Sequence, residues 1–274
     1  MKYIGKQSQI SPEWYDKTYD RLPALYDFEY PACSGDELDF WDGIIRRYGG
    51  PALELAVGTG RVALPLASLG HTVWGIDVSE PMLDRARRKT SSLPKAVRSR
   101  LHFERQDFRN FQLERRFKVI FAPFNSFLLL LTADDLGECM RSVADHLSEG
   151  GVFVIDAFAM TDDDMEPDSD TITYLEREPE SGASVVRTRK YSYDPDKRQA
   201  TSRLTFALSD RDGETWKVRF QYTLQLFKPQ ELLEGILQTG FEIREIYGNH
   251  ELESFGIDSE SLIVVCVKAA GDRL

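Results

Sequence analysis

Residues 53–61 read "LELAVGTGR". An apolar run carries one carboxylate, Glu54, and breaks at Gly58-Thr59-Gly60. With the next residues the stretch becomes "GTGRVA", a G-x-G-x-x-A pattern between a strand and a helix. Glycine at such a turn lets a ligand approach the backbone with no Cβ in the way. Asp77 closes the following apolar run, 19 positions after Gly58, where an acid can accept from a ribose diol.

Two cofactors want a glycine turn followed by a ribose acid. A dinucleotide presents a pyrophosphate, which favours helix N–H groups with no carboxylate nearby. A ligand that carries an ammonium and a sulfonium can use an acid at the strand end. Glu54 therefore favours S-adenosylmethionine (SAM) over NAD. The plain alternative for Glu54 is a brace that accepts the turn's N–H groups, and both roles can coexist. "RQDF" at 105–108 adds an acid, Asp107, that can accept from an adenine amino group, followed by a ring, Phe108, that can pack on it. Met82 can pack on the adenine as well. The plain readings of these three are a helix cap, a core aromatic and a core methionine, so the ordered set carries the weight.

Working outward, short apolar runs alternate with helical patterns from residue 51. "PALELAV", "TVWGIDV", "LHFERQD", "FKVIFAPF" and "GVFVIDAF" read as strands. "RVALPLASLG" reads as a helix closed by Gly70, and "SEPMLDRARRK" as a helix with Ser79 as N-cap and Pro81 in its first turn. Residues 132–148 form a third helix: Leu136, Met140, Val143 and Leu147 share a face, and Thr132 with Asp135 suggests a capping box. This alternation predicts a parallel sheet covered on both faces by helices. An acidic connection, "TDDDMEPDSD" (161–170), then leads to β-rich runs near 171–178, 184–193, 200–208 and 215–226, split by turn signals. They predict an antiparallel insert, either a substrate wall or a contact between copies of the chain. The α/β pattern resumes with "PQELLEGILQTG" (helix), "FEIREIYG" and "SLIVVCVKA" (strands). Residues 11–48 read as one or two helices rich in Trp and Tyr.

Composition narrows the function. Lys+Arg 34 against Asp+Glu 45 gives a net charge of −11, a surface that repels phosphate backbones, so nucleic acid is not an expected partner. No apolar run approaches a membrane span, and the polar N-terminus lacks a signal-peptide core. The three cysteines, Cys33, Cys139 and Cys266, are far apart and contain no C-x-x-C. No metal site is expected, and the default compartment is a reducing cytoplasm.

The set "LELAVGTGR", "VWGIDVSEPMLDRAR", "RQDF", "FKVIFAPFNSF" and "HLSEGGVFVIDAF" resembles the class I SAM-dependent methyltransferases, closely over 51–158 and more loosely over 228–268. Ala56 stands where that family commonly has its first glycine, a change expected to be mild. The resemblance implies a Rossmann-like, mostly parallel seven-stranded sheet whose last strand is antiparallel. It is nearest to bacterial enzymes with an antiparallel β insert after the fifth strand that methylate sugars, glycopeptides and other secondary metabolites, antibiotics included. It divides the chain into an N-terminal helical lid (1–50), a SAM-binding core (51–160), the insert (161–227) and the completed core (228–274). It implies cofactor contacts from Tyr19 and Tyr26 in the lid, from Glu54, Gly58, Gly60, Arg61, Asp77, Met82, Asp107 and Phe108, and from Pro123 and Asn125 after the fourth strand.

Ligands of open α/β sheets bind beyond the carboxyl ends of the strands. Asp156 and His250 leave the fifth and sixth strands there and are the catalytic candidates, His250 as base because its pKa lies near operating pH. Tyr19, Tyr26 and Glu251 are next in line. The expected function is SAM-dependent methylation of nitrogen, oxygen or carbon on a small molecule. The competing readings are a methyltransferase fold that binds SAM for a cyclisation or as a scaffold, and an NAD-dependent oxidoreductase.

Overall fold

The computed structural model describes residues 22–160, 169–177, 184–209 and 213–269, so Tyr19 lies outside the described residues. The chain forms two compact units. One contains residues 30–161 and the chain from 227 onward; the other contains the chain up to Glu29 and residues 162–226.

Helix α1 (Leu22–Glu29) belongs to the second unit and holds Tyr26, half-buried. Helix α2 (Gly35–Tyr48) belongs to the first. Its first turn carries Asp36 and Glu37 and its last Arg46 and Arg47, charges that complement the helix dipole. It buries Phe40, Trp41, Ile44 and Ile45, and packs against β4 and β5, introduced below. Within the segment expected to be a lid, α2 is thus part of the core.

The first unit continues with β1 (Ala52–Leu55), α3 (Ala63–Ser68), β2 (Val73–Asp77), α4 (Glu80–Ser91), α5 (Lys95–Arg98), β3 (Leu101–Arg105), β4 (Phe117–Ala122), α6 (Ala133–His146) and β5 (Leu147–Phe158). In the other unit, β6 (Ser169–Arg177), β7 (Ser184–Asp194), β8 (Gln199–Ser209) and β9 (Thr215–Gln225) pair in sequence order as an antiparallel sheet. The chain returns with α7 (Pro229–Gln238), β10 (Phe241–Tyr247) and β11 (Ser261–Lys268).

The seven-stranded sheet has the order β10-β11-β5-β4-β1-β2-β3. Only β11 runs against its neighbours, as the resemblance implied. Its central strands are apolar on both faces because helices cover both; β1 and residues 152–157 of β5 are buried throughout. The order reverses between β1 and β4. The crevice beyond their carboxyl ends is where such sheets hold ligands.

Three local readings need correction. The helix starting at Thr132 is capped as expected, with Thr132 Oγ1 accepting from Asp135 N at 3.0 Å, but it ends at His146 and Leu147 opens β5. Ser79 occupies the N-cap position, yet its hydroxyl makes no cap bond. Asp77 takes over part of that role by accepting Ser79 N at 2.8 Å. Ala56 is not a mild replacement for glycine: its φ is +53°, a left-handed conformation that costs an L-residue about 1–2 kcal/mol.

Candidate active site

The glycine turn is built by close packing on one side and left open on the other. A Cβ on Gly60 would collide with Leu64 and come within 3.6 Å of Ala86, so this glycine lets α3 and α4 approach. Gly75 in β2 has the same duty, since its Cβ would sit 2.6–2.9 Å from Val57. Gly58 differs. At φ +55° its Cβ would meet nothing nearer than Ala56 O, at 4.0 Å. The space beside it is open.

Two carboxylates face this turn. Asp77, half-buried, bridges it: Oδ2 accepts from Gly58 N at 2.9 Å and Oδ1 from Ser79 N. Burial pushes its pKa up despite these N–H donors. Glu54 is 2% exposed. Burial raises its pKa well above the carboxylate range, against the opposing pull of the Arg61 cation and of a backbone bond from Ala63. Its Oε2 has no hydrogen-bond partner among the described residues. A buried, unsatisfied carboxylate oxygen is costly unless a ligand supplies a donor, and a cationic donor answers both charge and hydrogen bond.

Arg61, the residue after the turn, lies at 9% exposure. It pairs bidentately with Glu37 of α2, Nη1 to Oε2 at 2.8 Å and Nη2 to Oε1. Its guanidinium lies 4.4 Å above the Phe124 ring. Arg61 is therefore bound within the protein as well as positioned beside the turn. Its clamp on Glu37 was not legible, because Glu37 lies 24 positions upstream with no motif around it.

Asp107 follows β3, half-buried, with Phe108 and Met82 also half-buried. Its carboxylate is gripped by Arg109, Nε at 3.0 Å and Nη2 at 2.5 Å, and Arg109 also reaches Asp135 of α6 at 3.1 Å. Asp107 is thus fixed by a guanidinium two residues on, and an adenine amino group would share its oxygens with that cation.

Beyond β4, Pro123 is buried and Phe124 and Asn125 both take positive φ, +53° and +63°. Two consecutive left-handed residues persist only where their surroundings hold them. Here Phe124 N donates to Asp156 Oδ2 at 3.2 Å, Asn125 N to Asp156 O at 3.0 Å, and Asn125 Oδ1 accepts from Phe158 N at 2.6 Å. The Asn125 side-chain oxygen is committed to locking the ends of β4 and β5 together.

Asp156 is 6% exposed, and its Oδ2 faces His250 Nε2 at 3.3 Å. The His250 loop is braced by Asn249, whose Oδ1 accepts from Glu251 N and Glu253 N, and by a close approach of Gly248 to Ser259. Phe40 meets the imidazole edge to face, with centroids 5.5 Å apart. Burial lowers the His250 pKa, but Asp156 and then Glu37 outweigh it and the net shift is upward. The other histidines are occupied elsewhere: His71 with Asp42 at 2.6 Å, His102 stacked on Trp74, and His146 accepting Leu113 N at 2.9 Å. His250 opens on a cleft of about 310 Å³ lined by Asp36, Asp39, Phe40, Arg47 and Glu251 among others.

Residues 52–151 match the methyltransferase-domain family. The dTDP-3-amino-3,4,6-trideoxy-alpha-D-glucopyranose N,N-dimethyltransferase of Streptomyces venezuelae is 36% identical over 104 residues, 38% of this chain and 40% of that enzyme. The chain spans between 36% and 54% of the lengths of the first curated relatives it matches. Among solved structures, the CcbJ methyltransferase of Streptomyces caelestis superposes with a TM-score of 0.72 at 28% identity, covering 93% of this chain and all of that one. The glycopeptide N-methyltransferase MtfA, solved with SAM, has a TM-score of 0.59 at 20% identity over 89% of this chain and 91% of its own, and shares the fold. The domain thus has the fold of SAM-dependent methyltransferases, and its residues suit that cofactor. Gly58 leaves open space beside the turn, Asp77 presents its carboxylate to the turn, and Glu54 Oε2 has no partner among the described residues. No helix among the described residues is long and apolar enough to cross a membrane.

Proposed function

We propose that the protein transfers a methyl group from SAM to a basic nitrogen of a small natural product, in the cytoplasm, where its buried thiols stay reduced. The observation that carries this reading is Glu54, whose bare, buried Oε2 suits an ammonium and would repel a pyrophosphate. The relatives support the acceptor class: one is named for an amino sugar and one for a glycopeptide nitrogen.

SAM supplies an electrophilic methyl on a sulfonium. The chain's residues then have two tasks. Glu54, Gly58 and Asp77 hold the cofactor at the carboxyl end of β1. His250 and Asp156 handle the proton. An amine acceptor arrives as an ammonium near neutral pH and must shed a proton before its lone pair can attack. With Nε2–H directed at Asp156, Nδ1 of His250 keeps its lone pair and takes that proton. Asp156 orients the ring and stabilises the resulting imidazolium.

The test incubates the protein with SAM and a panel of amino sugars and amino acids, reading S-adenosylhomocysteine. Accumulation that depends on an amine acceptor supports transfer. SAM binding with no S-adenosylhomocysteine from any acceptor favours the scaffold reading.

A further inference from the structure

One acidic side chain near His250 belongs neither to the cofactor motifs nor to the proton-transfer pair. Glu37 stands in the first turn of α2, and its carboxylate, the Asp156 carboxylate and the His250 imidazole each place one polar atom within 4.8 Å of the others. Both Glu37 oxygens accept from Arg61. Asp156 Oδ2 is shared by Phe124 N and His250. Each of the three groups is therefore tied to a neighbour within the protein.

What results is a row of neighbouring ionisable groups that runs from the cofactor acid to the strand-end acid: Glu54, Arg61, Glu37, His250, Asp156. Arg61 holds Glu37 ionised, below the usual carboxylate range even against its burial, so Glu37 is itself no proton acceptor. It acts through its fixed charge and place. Resting on the reading of His250 as the acceptor's base, we infer that Glu37 is a positioning residue for that base. Clamped by Arg61 to the glycine turn, it sets the ring's proton affinity and ties the proton-transfer site to the cofactor site.

Every charged group around the ring bears on this. Asp156 faces it from β5, Glu37 from α2 and Arg61 from the turn after β1. Asp36, Asp39 and Arg47 of α2 and Glu251 of its own loop line the cleft on which it opens. Asp156 and Glu37 raise its proton affinity and Arg61 lowers it. Removing Glu37's charge strips one of the two carboxylates that raise the ring's proton affinity and leaves Arg61's opposing pull in place, so the change acts downward.

The titration itself needs no acceptor. The imidazole signals of the full chain are titrated by proton NMR in wild type, Glu37→Gln and Glu37→Asp, with His250→Ala assigning the resonance. One charge about 5 Å away across an effective dielectric between about 20 and 80 moves the midpoint by roughly 0.6–2.4 pH units. Glu37→Gln is expected to lower the His250 midpoint by that amount, and Glu37→Asp, with its charge drawn back, by less. A midpoint unchanged in Glu37→Gln overturns the inference. If Glu37→Gln does not fold, Glu37→Asp decides, and an unshifted midpoint there overturns it too. A shifted midpoint with S-adenosylhomocysteine formation unaffected by His250→Ala also overturns it, because the ring Glu37 positions would not be the base. Absence of S-adenosylhomocysteine from every protein, by contrast, counts against the transfer reading and leaves the titration result standing.

Discussion

Replacing Asp77 by Asn separates bracing from binding. In the free protein each carboxylate oxygen accepts one backbone N–H, from Gly58 at 2.9 Å and Ser79 at 2.8 Å. An amide keeps one acceptor and turns an NH2 toward the other N–H. One charge-assisted hydrogen bond, about 1.5–3 kcal/mol, is lost, and part returns because burial already disfavours this carboxylate's charge. A net loss of about 1–2 kcal/mol lowers Tm by roughly 2–8 °C in a domain of this size. On the ligand side, two ribose hydroxyls would donate to the same oxygens. Losing one charged acceptor costs about 1.5–3 kcal/mol of binding, roughly a 10- to 100-fold rise in the SAM Kd. Calorimetric titration and thermal unfolding on the same samples read both effects. A lowered Tm with an unchanged Kd would refute the ribose role and leave Asp77 as a brace. Unchanged values of both would refute the hydrogen-bond reasoning itself.

Three more outcomes are expected. His250→Ala lowers kcat by about 10²–10⁴ with the SAM Kd near wild type; because the His250 pKa is raised, wild-type activity climbs with pH through a midpoint above the ordinary imidazole value, and the variant loses that limb. Glu54→Gln changes the pH dependence of stability. A carboxylate whose folded pKa is raised contributes stability that is complete below its unfolded value and lost as pH rises through the folded one, so wild-type Tm falls relative to the variant above about pH 4 while the variant binds SAM more weakly; parallel Tm curves would contradict this. Ala56→Gly relieves left-handed strain of about 1–2 kcal/mol against about 0.5–1 kcal/mol of added chain entropy, for a Tm gain of a few degrees; a loss would contradict the strain argument.

The fold was legible because its signals are local. Apolar runs of strand length alternate with helical periods, and Gly58 and Gly60 mark a turn whose φ values are both positive. The places of Glu54 and Asp77 beside that turn were legible for the same reason, since their offsets from it are short and fixed. The commitments of other residues were not. Asn125 reads as a ligand-facing amide, yet its oxygen is held by Phe158, 33 positions on. Asp107 reads as an adenine acceptor, and the Arg109 that grips it is one of many arginines until folding brings Asp135 to its other side. Glu37 carries no motif at all. It meets Arg61 and His250 only because α2 packs beside the strand ends, a long-range contact that no spacing announces. Ala56 shows the limit of substitution reasoning: the difference from glycine is one methyl group, and its cost depends on a dihedral angle that the sequence does not display.

The role of Glu54 decides whether the turn holds SAM. A crystal structure with S-adenosylhomocysteine bound would show it. The ligand's amino nitrogen is expected within about 3.2 Å of Glu54 Oε2, its ribose diol on Asp77 and its sulfur directed toward the His250–Asp156 pair. A ligand whose amino group is bonded elsewhere, with Glu54 Oε2 still bare, would contradict it.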